Sequence, residues 1–76
     1  MLATPQPAPA VPANAIIDVL EAGPGGVGRF RVKVWATHPP FRGQQRVYEC
    51  VAASEKEAAA SSIGRFVGEM KRIWCP

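Results

Sequence analysis

The stretch Arg46-Val47-Tyr48-Glu49-Cys50-Val51-Ala52-Ala53, followed at once by Ser54-Glu55-Lys56-Glu57-Ala58-Ala59, decides the fold. Its first half is rich in β-branched and aromatic residues, which suit a pleated, half-buried surface, so it reads as a strand. Its second half opens a helix. Ser54 with Glu57 three positions on is a capping box: each side chain bonds the other residue's backbone N–H, satisfying donors that the first turn leaves orphaned. Beyond the cap, Ala59, Ile63, Phe66, Val67, Met70, Ile73 and Trp74 recur at helical spacing. They predict one apolar stripe on a helix about 30 Å long. Glu55 and Glu57 at its start, with Lys71 and Arg72 at its end, follow the order the helix dipole favours.

Working back from there, Arg29 to Thr37 is the cleanest strand. Phe30, Val32, Val34 and Ala36 alternate with Arg29, Arg31, Lys33, Trp35 and Thr37. The first set suits a core beneath the helix. The second set then lines the opposite face of the sheet, joined by Val47, Glu49 and Val51 of the next strand. Asn14 to Ala22 comes earlier and reads as a first strand from Ile16, Ile17 and Val19. A short helix capped by Asn14 and stopped by Gly23 is the alternative. Alternation leaves its buried face open, because Ile17 and Val19 share a side with Glu21, and Ile16 and Leu20 share one with Asp18.

The expected fold is therefore α+β: a three-stranded antiparallel sheet in the order β-β-β-α, with one C-terminal helix packed on one face. Residues 1–13 (MLATPQPAPAVPA) form an extended, mobile proline-rich arm in this reading, and residues 14–76 form a single small domain. The segment from His38 to Gln45 is a loop by its prolines and glycine, and Phe41 beside Arg42 near its tip is a plausible anchor for a partner. Within the helix, Ala60, Gly64 and Gly68 fall four apart. Two interior glycines cost about 1 kcal/mol each against alanine, which suggests a surface that something approaches closely. That neighbour is the sheet, or else a second helix from a homodimer or a partner.

Composition narrows the chemistry. Seventy-six residues with a net charge of +3 allow one mildly basic domain. No apolar run is long enough to span a bilayer, and no charged region followed by a hydrophobic stretch marks a secretory signal, so the cytoplasm is the default expectation. Gly23-Pro24-Gly25-Gly26-Val27-Gly28 matches G-x-G-x-x-G formally, but a strand follows it where a dinucleotide fold needs a helix, so it reads as a hairpin loop. One histidine, His38, and two separated cysteines, Cys50 and Cys75, do not supply the four clustered ligands of a zinc site. An intrachain disulfide would have to bridge the length of the helix. The carboxylates are scattered. The expectation is a protein that is not an enzyme, with no metal and no cofactor.

The order strand, strand, strand, helix is also that of AP2-type and integrase arm-type DNA-binding domains. Arg46-Val47-Tyr48 through Ser54-Glu55-Lys56-Glu57-Ala58-Ala59 resembles the AP2 family's third strand and its acid-Ala-Ala helix start. The resemblance covers under a fifth of the chain, and the Pro39-Pro40 loop departs from it. It implies DNA binding by the open sheet face, with Arg29, Arg31 and Lys33 on phosphates and Trp35 stacking on bases. The leading expectation is a different one: a small binding protein that docks its basic sheet face and loop on a protein or nucleoprotein complex. Short non-catalytic domains of this kind are encoded by phages and mobile elements to inhibit host complexes, those of defence included. The expected contact residues are Arg29, Arg31, Lys33, Trp35, Phe41, Arg42 and Arg46, with Ala60, Gly64 and Gly68 as a further helix-face contact.

Overall fold

The structure, a computed structural model, describes residues 10–74. Strands β1 (Ala13–Ala22), β2 (Gly28–Ala36) and β3 (Gln45–Ala52) form one antiparallel sheet in sequence order, and helix α1 (Glu55–Ile73) closes one side of it. The α+β architecture is the one that the alternation in β2 predicts. Phe30, Val32, Val34 and Ala36 lie buried beneath the helix, while Arg29, Arg31 and Lys33 point to the open side. Residues 14–22 are strand throughout and continue from Ala13. The capping box is built at its serine side, where Ser54 Oγ accepts from the Glu57 backbone N–H at 3.1 Å.

The helix buries a slightly different row from the predicted one. Ala58, Ser62, Phe66 and Met70, each four apart, meet the sheet. Ile63 packs beside them, but Ile73 is exposed and leaves the stripe. The buried row repeats every four residues, and Ile73, three beyond Met70, falls off it. Ser62 thus enters the core although it is polar, and its hydroxyl has no hydrogen-bond partner among the described residues.

A bulge resolves the face of β1. Val19 pairs with Phe30 and Glu21 pairs with Arg29, so Leu20 is the extra residue. Ala15 and Ile17 pack toward the core, and the skip lifts Glu21 off their side and onto the open face. Simple alternation would have kept it with Ile17. Gly28, across from the bulge, has no room for a side chain, since a Cβ there would run into the Glu21 carbonyl oxygen. The glycine motif between β1 and β2 is a hairpin loop containing a short 3-10 turn, closed by the Gly23 N–H donating to the Val27 carbonyl at 2.7 Å.

Phe41 corrects an expectation. It is not an exposed anchor: only 5% of it is accessible, and its ring meets Trp74 edge-on with centroids 5.9 Å apart. The loop turns back through Gly43, whose φ of +97° suits glycine, and tucks Phe41 under the end of the helix. At the chain's other side, Val11 packs on the core, and the Pro12 carbonyl accepts from the Thr37 backbone N–H at 3.0 Å. The predicted arm is therefore tied down at residues 11–13, and its first nine residues lie outside the described range. Cys50 is a half-buried free thiol, and Cys75 lies outside the described residues, as does any pairing with it.

Candidate binding surfaces

Antiparallel register sets what the open face presents. Residues directly opposite one another across two strands point the same way. Arg31 sits between Asp18 on β1 and Glu49 on β3. Arg29 sits between Glu21 and Val51, Lys33 between Ile16 and Val47, and Trp35 between Asn14 and Gln45. Arg31 reaches Glu49 at 3.3 Å, an exposed pair worth at most about 1 kcal/mol. The three cations of this face are thus matched by three carboxylates, and the face is not basic as a whole. It carries instead a set of exposed aliphatics: Val51 at 73% accessibility, Ile16 at 58% and Val47 at 57%.

Of the other predicted contact residues, only Trp35 shares the open face. Arg46 is on the helix side of β3, where its Nε is 3.5 Å from Glu69 and its guanidinium donates to the Gln45 carbonyl at 2.7 Å. Arg42 is exposed in the loop next to the buried Phe41. Trp35 is half-buried on the open side. Ala60, Gly64 and Gly68 are exposed on the outer side of α1, and a Cβ on either glycine would meet nothing among the described residues. The sheet is therefore not what these glycines accommodate.

A cluster that sequence reasoning missed joins the sheet to the helix. Tyr48 donates its hydroxyl proton to Glu69 at 2.9 Å, and the Arg65 guanidinium lies 4.9 Å from the centre of the Tyr48 ring. Burial first, and then this hydrogen bond, push the Tyr48 phenol up from 10 to about 12, with Arg46 and Arg65 opposing the rise. The signal in the sequence was only that Tyr48 and Glu69 belong to packed elements. Arg65, Gly68, Glu69 and Arg72 line an open notch of about 320 Å³ on this side. A larger hollow of about 470 Å³ lies at the opposite end, between Val19, Phe30, Gly26 and the helix start, and holds none of the predicted contact residues.

His38 accepts or donates a 2.7 Å hydrogen bond with Thr37 Oγ1 in the loop, and among the described residues no group of three acidic, histidine or cysteine side chains converges as a metal site would require. No described helix is long and apolar enough to cross a membrane. The chain matches no protein-family model, and comparison with curated proteins and with solved structures likewise gives no match.

Proposed function

We propose that this chain is a small, non-catalytic binding protein whose open sheet face docks on a protein surface. The observation that carries the reading is the charge-matched ladder with aliphatics between its charges. A phosphate backbone would gain from Arg29, Arg31 and Lys33 but be repelled by Asp18, Glu21 and Glu49, which stand in register with them. A protein surface can answer both signs and also cover Ile16, Val47 and Val51. Three strands about 4.8 Å apart and roughly 28 Å long make a plate of about 400 Å², half of a standard partner's share. The adjoining Arg42 loop would then join the contact. The role that fits such a module is occlusion of a larger complex, as inhibitors encoded by phages and mobile elements achieve.

The test is affinity capture from nuclease-treated lysate with three proteins: the natural chain, Ile16→Asp with Val47→Asp, and Arg65→Glu with Arg72→Glu. The reading expects a defined partner that the first double variant loses and the second keeps. Retention of that partner by the sheet-face variant would move the docking surface elsewhere. A chain that merely pairs with itself in sedimentation, losing that pairing in the first variant, would replace the reading by a dimer.

A further inference from the structure

The excess positive charge of the molecule is not on the sheet but at the pole formed by the second half of the helix and the loop beneath it. Arg65, Lys71 and Arg72 are on that half of the helix, Arg46 reaches Glu69 from β3, and Arg42 is in the loop whose Phe41 meets Trp74, with Glu69 the one acid there among the described residues. The sheet face balances itself, and at the helix start Lys56 stands against Glu55 and Glu57. We infer that this pole is a second binding surface, one that takes the phosphate backbone of a nucleic acid without reading its bases.

Several observations point to phosphate. Four of the five cations are arginines, whose planar fork matches a phosphate with two parallel hydrogen bonds. Arg65 and Arg72 line one notch, about 10 Å apart along the axis at 1.5 Å per residue, and Gly68 lines it with them. Because Gly68 carries no side chain there, a strand can lie close between the two guanidinium groups. The notch is lined by Arg65, Gly68, Glu69 and Arg72, so it offers no apolar anchor of the kind an acidic protein partner would use. Its single carboxylate is already engaged by Arg46 and by the Tyr48 hydroxyl. The Tyr48 ring also steadies Arg65, so less side-chain freedom is lost on binding. No aromatic side chain lines the notch, which is why the contact would position a backbone and leave sequence unread.

Fluorescence anisotropy with labelled mixed-sequence oligonucleotides, single- and double-stranded, tests this across salt from about 50 to 200 mM. Arg65→Glu with Arg72→Glu should weaken binding at least about tenfold and lower the salt slope by about two. Arg31→Glu with Lys33→Glu should leave binding within about twofold. Lys71→Glu with Arg72→Glu, which touches neither Tyr48 nor the core, repeats the first test where folding is not in question, and circular dichroism checks each variant. No binding by the natural chain at low salt overturns the inference. So does an equal loss in the sheet variant, or competition by poly-glutamate as effective as that by unlabelled oligonucleotide, which would assign the pole to an acidic protein. The docking reading is measured on Ile16 and Val47 and stands or falls separately.

Discussion

At the scale of single residues, Tyr48 couples the sheet to the helix through one proton. It is the only tyrosine in the chain, so its ionisation can be followed without overlap. Burial and the Glu69 acceptor hold its phenol protonated up to about pH 12 in the folded state, against 10 when exposed. A folded pKa above the unfolded one means that the stabilisation is complete below pH 10 and is lost as pH climbs toward 12. Two pH units correspond to about 2–3 kcal/mol. Urea midpoints should therefore fall steeply over that window in the natural chain and much less in Tyr48→Phe, which at neutral pH should cost about 1 kcal/mol for the lost hydrogen bond. A tyrosinate absorbance titration centred at 10 would contradict this. The same residue shows where sequence falls short: the alternation of Tyr48, Cys50 and Ala52 gives its face, but the proton acceptor comes from 21 residues away and only packing brings it there.

At the scale of elements, strand and helix were legible because each carries its own period. Phe30, Val32, Val34 and Ala36 alternate without a break, and Ser54 with Glu57 marks the helix start. What crosses between elements was not legible. The bulge at Leu20 depends on β1 pairing with β2, and it alone puts Glu21 opposite Arg29. Asp18 and Glu49 flank Arg31 only once register is set, so a row of cations that looks basic in sequence is neutral in the sheet. The helix glycines lie on the outer side, where no described part of the fold approaches them. There a prediction is direct. Gly64→Ala and Gly68→Ala each meet empty space and should each stabilise the helix by about 0.8–1 kcal/mol. For a domain of this size that raises the melting temperature by roughly 4–8 °C per kcal/mol. A loss of stability would show that these positions touch something in solution, such as a second copy.

At the scale of the whole molecule, charge and closure share the same end. The loop that carries Arg42 also inserts Phe41 beneath the helix, so the cationic pole is built on a packed corner. The sequence concealed this because a phenylalanine between prolines, an arginine and a glycine has no periodic partner. Its companion, Trp74, stands at the far end of the helix and meets it only in the completed fold. This makes Phe41→Ala the most discriminating single change. Were the ring a surface anchor, its removal would leave stability untouched and weaken binding alone. In its buried setting, truncation leaves a cavity between loop, sheet end and helix end, and costs about 3–5 kcal/mol. A core of this size contributes only about that much in total, so the variant should be largely unfolded at room temperature. Far-ultraviolet dichroism would fall, and tryptophan emission would shift red as Trp74 enters water. Arg42→Ala, one residue away and exposed, should leave both signals unchanged while lowering affinity at the pole. A folded Phe41→Ala with native tryptophan emission would mean that the loop does not close this corner and that Arg42 is free of the helix end.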